Sequence, residues 1–304
     1  MGVESYLSTI RVGQKNWNWK KSELIVARLR AFLSLLLFSP INVALSGFSV
    51  AYISFLLFGV SVNACLISAF LITFSVYNLN LLTDKKEDAL NFPEREQYYV
   101  SEEKKLVFIS ILFYVLAIAI GSFVNLRSVP ALLIPLVLGI FYSVRIKGYR
   151  FKDLFIGKNV TVSLSWAVEA SLLPAAFHFN GPYVAMIFIF IFINGIINTT
   201  LFDLRDVKGD IKAGVRTIPS IIGVKNTRNL LFAMNTLLIS WVLFAFYNSM
   251  FLLYIPVFIF CILYGYFYIF YFSREVEIPR THYGIFLDGE WIFLLMLFLL
   301  TAAF

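Results

Sequence analysis

Long apolar runs, separated by polar segments, make up most of the chain. Breaks at charge clusters, prolines and glycines divide residues 39–303 into nine such runs. As a helix, each run is long enough to cross a hydrocarbon core of about 30 Å. The pattern therefore predicts an all-α fold, a polytopic membrane bundle of nine transmembrane helices. The predicted spans are residues 39–58, 60–82, 104–124, 128–145, 154–177, 182–202, 228–247, 249–272 and 285–303.

The segments between the spans alternate between short, nearly uncharged turns and long, charged connections. Of the 25 Lys and Arg residues, Arg127 alone falls in a short turn. Cytoplasmic segments of membrane proteins carry an excess of Lys and Arg, so we expect the amino terminus and the charged connections in the cytoplasm. Nine spans then leave the carboxyl terminus outside the cell membrane, which we expect to be prokaryotic. The charged connections are residues 83–103, 145–153, 203–228 and 273–284.

The composition excludes a pair of soluble domains. The chain is 60% hydrophobic and 14% charged, with 33 Phe and a mean hydropathy of +0.82. Its net charge of +7 follows from the basic connections, so we expect the lipid bilayer and no nucleic acid as a partner. Residues 1–38 are predicted to be a polar amino terminus with an interfacial helix. Residues 1–304 then form one transmembrane domain, with the nine-span bundle over 39–303.

A first group of polar side chains ends the second predicted span. Asn80, Asp84 and Asp88 follow an NxxxDxxxD spacing, so on a helix they share one face. Like charges four residues apart repel each other, which indicates a cation on that face. A few oxygen ligands at the mouth of an apolar helix suit Mg²⁺ shared with a phosphate better than a metal site built from protein alone.

A second acidic group, Asp203, Asp206 and Asp210, ends the sixth predicted span. Both groups fall on the predicted cytoplasmic side, and four spans separate them. This spacing predicts two parallel pseudo-repeats of four helices, with the site at their interface. Two acidic helix ends that face each other would make a site for a diphosphate held through Mg²⁺, and we assign Asp84, Asp88, Asp206 and Asp210 as the metal ligands.

The connection after the fourth span supplies positive charge. Tyr142, Arg145 and Lys147 follow each other closely there, although Lys and Arg also flank many cytoplasmic helix ends. Positioned metal ions and basic side chains stabilise the charge that develops on a departing phosphate group. An apolar tail would lie among Phe and Leu side chains, where a dry aromatic pocket shields a carbocation. The combination suits an allylic prenyl diphosphate.

Three further residues are candidates for substrate binding: Lys158, Asn198 and Lys212. Lys158, near the start of the fifth span, could bind diphosphate or extend to the membrane surface. Asn198 could line an acceptor pocket or form a hydrogen bond between helices. Lys212 lies in the segment after the second acidic group, which could close over the site. Glu169 is deep in the fifth span and could be either functional or hydrogen-bonded to another helix.

These motifs resemble the UbiA superfamily of intramembrane prenyltransferases over nearly the whole chain. The resemblance rests on NxxxDxxxD after the second span, on YSVRIK (142–147), and on NTTLFDLRDVKGDIKAGVRTIP (198–219). It implies a nine-helix bundle around a central cavity, Mg²⁺, a donor such as geranyl or geranylgeranyl diphosphate, and a lipophilic acceptor. The acidic groups match the family's two aspartate motifs, and residues 142–147 align with its basic loop.

The acceptor stays open at this point. Family members use quinone-precursor rings, haem, chlorophyllide or an archaeal glycerophosphate ether. Many members follow the first motif with a run that ends in Pro-Ser-Gly, and residues 91–99 lack that ending, which weakens assignment to the archaeal-lipid or chlorophyll branches. The transferred group would therefore go to an apolar or aromatic acceptor of quinone-precursor or archaeal-lipid type.

Two other functions are compatible with an acidic membrane bundle. A secondary transporter of a divalent cation or phosphate could use the two acidic helix ends, but transporters usually carry polar residues and broken helices at the midplane of both halves. A CDP-alcohol phosphotransferase would need a DxxDGxxAR-type run, and the sequence contains none. We therefore predict a membrane-embedded prenyltransferase and keep the transporter as the alternative.

Overall fold

Nine long helices form the described part of the protein in a computed structural model. The structure describes residues 40–83, 103–143, 151–213, 216–274, 276 and 278–304, and all regular structure within them is helical. The predicted all-α fold is therefore confirmed. The helices are α1 (Pro40–Phe58), α2 (Cys65–Thr83), α3 (Glu103–Val124), α4 (Val129–Ser143), α5 (Gly157–Ala175), α6 (Gly181–Ala213), α7 (Ile218–Tyr247), α8 (Ile255–Phe272) and α9 (Glu290–Ala303).

Eight helical segments in the described residues are long and apolar enough to cross a membrane. The remaining helix, α5, is more polar because it carries Lys158, Asn159, Glu169 and several Ser and Thr residues. Most of these polar side chains lie against neighbouring helices: Asn159 and Ser163 are almost fully buried. Polar residues in membrane helices usually face the interior of the bundle, and α5 follows that rule.

Helix α6 is longer than the sequence predicted. It runs for 33 residues, to Ala213, rather than ending near residue 202. After Pro182 the helix contains no proline, and a single glycine such as Gly209 costs a helix only about 1 kcal/mol. The second acidic group therefore lies on a continuous helix, and the predicted closing segment is helical over residues 203–213. A kink at Gly223, with a φ of 78°, interrupts α7 soon after its start.

The chain reaches α9 through an irregular helical segment. One helical turn, Arg280–Tyr283, leads into a π-helical turn over Gly284–Asp288, and α9 begins at Glu290. The sequence predicted a single span from residue 285. Glu290 is almost fully buried at the start of α9, whereas Asp288 lies within the preceding π turn.

Small residues bring α5 and α6 close together. A Cβ atom added at Gly195 of α6 would lie 2.8 Å from the Cβ of Ser163 on α5, which is closer than real Cβ atoms approach. Small residues at helix interfaces allow such close backbone approach in membrane bundles. The contact matters for function because α5 carries Lys158 and α6 carries the second acidic group.

Replacing Gly195 with alanine is expected to lower stability by about 1–3 kcal/mol, since the added methyl group overpacks the α5–α6 interface. The melting temperature of the purified protein measures this effect. Gly181→Ala, at the start of the same helix, is the matched control because nothing lies within 4 Å of the position of its added Cβ. Equal melting temperatures for the two variants would contradict the tight contact.

Some predictions lie outside the described residues. The interfacial helix predicted within 1–38 is one of them, and the first acidic group is described only as far as Thr83. The parallel pseudo-repeats also stay a prediction.

Candidate functional site

The predicted site residues that the structure describes gather at one end of the bundle. Asn80 lies in the last turn of α2, and Tyr142 lies in the last turn of α4. Lys158 lies in the first turn of α5, which runs in the opposite direction. The second acidic group lies near the end of α6. Four helix ends thus supply the candidate side chains.

Both carboxylate oxygens of Asp203 have side-chain partners on α5. Its side chain is fully buried, and its Oδ1 is 2.7 Å from the Nζ of Lys158. Its Oδ2 accepts a hydrogen bond of 2.8 Å from the Nδ2 of Asn159. Both carboxylate oxygens are therefore engaged by α5, as a buried charge requires. In this geometry Asp203 fixes the position of Lys158, whose side chain keeps 31% of its surface exposed.

Asn159 links α5 to α6 through three side chains of α6. Its Nδ2 lies 3.2 Å from the Oγ1 of Thr199 and 3.4 Å from that of Thr200, in addition to Asp203. The side chain is 99% buried. The sequence carries no signal for this role, because the contacts form only once α6 packs against α5. The structure shows that it holds the two helices in register at the site.

Asp206 pairs with its chain neighbour, Arg205. The Nε and Nη2 atoms of Arg205 donate hydrogen bonds of 2.8 and 2.7 Å to the two carboxylate oxygens. The guanidinium lies 5.0 Å from the ring centre of Phe202 and 5.3 Å from that of Tyr283. Adjacent residues on a helix normally point in different directions, so the sequence carried no signal for this pair. The rings of Phe202 and Tyr283 hold the guanidinium of Arg205 in a position from which it reaches the carboxylate of Asp206.

Asp210 offers a carboxylate oxygen to the site. Its Oδ2 is buried without a hydrogen bond of regular geometry among the described residues, and the side chain of Thr217 interacts with this carboxylate. Asp210 interacts electrostatically with Lys158, Asp203 and Asp206, so the second acidic group and the lysine share one region. A buried carboxylate oxygen without a partner is costly unless a ligand satisfies it. An oxygen ligand of this kind fits Mg²⁺.

The described residues contain no group of three His, Cys, Asp or Glu side chains that could hold a metal ion without other ligands. Asp84 and Asp88 lie outside the described residues, so the search does not test the first acidic group. Arg145 and Lys147 also lie outside them, as does the side chain of Lys212. The roles predicted for these five residues stay predictions.

Tyr142 and Asn80 connect α2 and α4 to the same region. The Oγ of Ser143 donates a hydrogen bond of 3.1 Å to the Oδ1 of Asn80. Tyr142, which immediately precedes Ser143, is buried and interacts electrostatically with Lys158. The Nζ of Lys152 lies 5.8 Å from the ring centre of Tyr142. Asn80, the first residue of the NxxxDxxxD group, therefore lies next to Ser143, and the neighbouring Tyr142 interacts with Lys158, the partner of Asp203.

A cleft of about 50 Å³ opens among α1, α2, α5, α6 and the π turn. Asn198 lines it and donates a hydrogen bond of 3.3 Å to the backbone oxygen of Leu287. The hydrogen bond links α6 to the π turn, and the substrate-binding role of Asn198 stays a prediction. Glu169 is also buried in α5, with Oε1 unpaired among the described residues, but it does not line the cleft.

A model of the UbiA prenyltransferase family matches residues 41–297 of the chain. Among solved structures, a UbiA homologue from Archaeoglobus fulgidus superposes with a TM-score of 0.62 at 17% identity, covering 89% of this chain and 95% of that one. A UbiA homologue from the same organism bound to GPP and Mg²⁺ gives 0.60 at 18% identity, with 91% and 96% covered.

A structure of digeranylgeranylglyceryl phosphate synthase superposes with a TM-score of 0.57 at 16% identity, covering 86% of this chain and 91% of that one. Among curated proteins none matches the sequence. At these identities the solved structures establish a shared fold.

Proposed function

The chain belongs to the UbiA prenyltransferase family, and from this premise we propose that it moves a polyprenyl group from an allylic prenyl diphosphate to an apolar or aromatic acceptor in the membrane, with Mg²⁺ as its cofactor. The observation that carries the proposal is the meeting of Lys158, Asp203, Asp210 and Tyr142 at one end of an apolar bundle. A UbiA homologue of the same fold binds GPP with Mg²⁺, which supports the donor class.

Asp206 and Asp210, together with Asp84 and Asp88, would hold the metal ion. The Oδ2 of Asp210, buried without a hydrogen bond of regular geometry among the described residues, supports this assignment. Bound Mg²⁺ would neutralise charge on the diphosphate oxygens and so make diphosphate a better leaving group. Arg205, which donates hydrogen bonds to both carboxylate oxygens of Asp206, would keep that carboxylate oriented at the site.

Lys158 would bind the diphosphate directly. Its ammonium group is held on one side by Asp203 and keeps part of its surface exposed on the other. Because the lysine is already oriented, little side-chain entropy is lost when it meets the diphosphate. Tyr142 would donate a hydrogen bond from its hydroxyl to a phosphate oxygen, and Asn80 would orient the first acidic group. The basic residues Arg145, Lys147 and Lys212 would complete the neutralisation of charge.

The rest of the bundle would exclude water from the prenyl chain. Aromatic and aliphatic side chains fill the interior below the site, including the packed rings of Phe190, Trp241 and Phe258. Cleavage of the allylic C–O bond creates positive charge on carbon, which aromatic faces stabilise and which water would otherwise capture. The acceptor would then supply the electron pair for the new bond. We place this site on the cytoplasmic side, with the carboxyl terminus outside.

The proposal is tested by incubating the purified protein in lipid nanodiscs with tritiated geranylgeranyl diphosphate, Mg²⁺ and a lipid extract as the source of acceptor. We expect labelled product and released diphosphate with Mg²⁺, and neither after removal of the metal with EDTA. Donors of 5 to 20 carbons would establish the preferred chain length. Absence of diphosphate release with every donor would contradict the proposal.

A further inference from the structure

Thr217 lies directly before α7 and next to the second acidic group. Its side chain interacts with the carboxylate of Asp210, which lies near the end of α6. Thr217 keeps only 4% of its surface exposed. Its Oγ1 is buried and forms no hydrogen bond of regular geometry among the described residues. The roles proposed for the acidic and basic side chains leave this hydroxyl unused.

The hydroxyl of Thr217 and the carboxylate of Asp210 have matching needs. The Oδ2 of Asp210 is also buried without a hydrogen bond of regular geometry. A buried polar group costs free energy when its hydrogen-bonding capacity is not used, and such groups in native proteins call for an explanation. A hydroxyl can donate a hydrogen bond, whereas an ionised carboxylate can only accept one. The hydrogen bond that suits this pair therefore runs from Thr217 to Asp210.

The backbone around Thr217 is anchored on its polar and on its apolar side. The Oγ of Ser220 accepts a hydrogen bond of 2.8 Å from the backbone N of Thr217 and donates one of 2.9 Å to the backbone oxygen of Thr217. Ile218 and Pro219, which follow Thr217, are buried. The hydroxyl of Thr217 is therefore presented to Asp210 by a short segment whose position is fixed.

A kink at Gly223 sets the direction of that segment. The backbone of Gly223 has a φ of 78° and a ψ of 161°, and the kink divides α7 into two helical pieces. Glycine adopts this conformation readily, whereas residues with a side chain rarely do. A Cβ atom added at Gly223 would meet nothing within 4 Å. The backbone conformation, rather than lack of space, therefore requires glycine here, and it determines where the piece that follows Thr217 lies.

We propose that Thr217 is a positioning residue of the donor site: its hydroxyl donates a hydrogen bond to one carboxylate oxygen of Asp210 and thereby directs the other oxygen to the metal ion. This inference rests on the proposed function and adds to it a residue that acts through a metal ligand. Carboxylates that bind metal ions are themselves hydrogen-bonded as a rule, and loss of such a partner typically lowers metal affinity or activity about 10- to 100-fold.

Thr217→Val is the first test, because it replaces the hydroxyl with a methyl group and keeps the shape of the side chain. The purified protein in lipid nanodiscs is titrated with Mn²⁺, which replaces Mg²⁺ and whose free form is measured by electron paramagnetic resonance. The titration contains geranylgeranyl thiolodiphosphate, an unreactive analogue of the donor. We expect the Kd for Mn²⁺ to rise about 10- to 100-fold. Thr217→Ser keeps the hydroxyl and should bind Mn²⁺ nearly as tightly as the wild type.

The melting temperature without ligands separates positioning from packing. Since the hydroxyl of Thr217 forms no hydrogen bond of regular geometry, Thr217→Val should not lower the melting temperature of the protein without metal or donor. The rise in melting temperature that Mn²⁺ and the analogue produce together should shrink, because that rise follows the affinity. A hydroxyl that served packing alone would give the opposite result, a lower melting temperature with unchanged binding of Mn²⁺.

Thr236→Val is the matched control. It makes the same replacement at an exposed position of α7 beyond the kink, where the Oγ1 of Thr236 donates a hydrogen bond of 2.7 Å to the backbone oxygen of Phe232. It should keep the wild-type Kd for Mn²⁺.

Gly223→Ala tests the same inference without removing the hydroxyl. Because alanine rarely adopts a φ of 78°, the kink should change and move Thr217 away from Asp210. We expect weaker binding of Mn²⁺, whereas Gly181→Ala, which also has open space around its added Cβ, should bind as the wild type does. If the kink acts through the hydroxyl, the double variant Thr217→Val/Gly223→Ala should bind Mn²⁺ no more weakly than Thr217→Val alone.

Wild-type affinity for Mn²⁺ in Thr217→Val, or an equal loss of affinity in Thr217→Ser, would overturn the inference. Should Thr217→Val fail to fold, wild-type affinity in Gly223→Ala would overturn it instead. Failure of the proposed function has a different signature. The wild-type protein itself would then bind no Mn²⁺ with a prenyl diphosphate analogue of any chain length.

Discussion

Asp206→Asn is expected to lower the rate of prenyl transfer about 1,000-fold while leaving the bundle folded. The variant removes the negative charge that would hold the metal and diphosphate, and losses of this order are typical when one group that stabilises developing charge is removed. The amide oxygen still accepts a hydrogen bond from Arg205, whose two bonds to Asp206 are 2.8 and 2.7 Å long in the wild type. Transfer rate and melting temperature, measured on one preparation, check both expectations.

Glu103→Gln is the control for this variant, since it changes the net charge equally at an exposed position in the first turn of α3. It should transfer at the wild-type rate. Wild-type turnover in purified Asp206→Asn would remove the second acidic group from the site.

Lys158→Met is expected to impair both stability and activity. It leaves the carboxylate of Asp203, which is fully buried, with Asn159 as its remaining side-chain partner among the described residues. Removal of one partner from a buried ion pair costs about 3 kcal/mol, because the other charge stays buried without compensation. Transfer should also fall at least 100-fold, since the ammonium group would no longer bind the diphosphate.

The double variant Lys158→Met/Asp203→Asn separates these two effects. Removing both charges relieves the buried carboxylate, so the melting temperature should return most of the way to the wild-type value. Transfer should stay low because the lysine is still absent. If the double variant transferred at the wild-type rate, Lys158 would have only a structural role.

Several features of the fold could be predicted from the sequence because they depend on local patterns. The span predicted over 104–124 corresponds to α3, Glu103–Val124, since charged residues and a polar turn mark its two ends. The sequence predicted Asp203, Asp206 and Asp210 as one acidic group, and the structure brings Asp203 and Asp210 near Lys158. Local periodicity is sufficient for such predictions.

Other features depend on contacts that no local pattern encodes. The pairing of Arg205 with Asp206 needs the rings of Phe202 and Tyr283, and Tyr283 comes from a segment far along the chain. The π turn before α9 is held by Asn42 and Ser46, both more than 240 residues away in sequence. The polar face of α5 was also hidden, because side chains such as Asn159 are buried only once α6 packs against them.

The most direct measurement of the central claim is the melting temperature of the purified protein with Mg²⁺, with geranylgeranyl diphosphate, and with both. Anything that binds only the folded state stabilises it in proportion to the logarithm of ligand concentration. We expect a rise of several degrees that needs both ligands in the wild type and is absent in Asp206→Asn. Stabilisation by a divalent cation alone, with no further effect of prenyl diphosphates of any chain length, would contradict the account and favour a cation transporter.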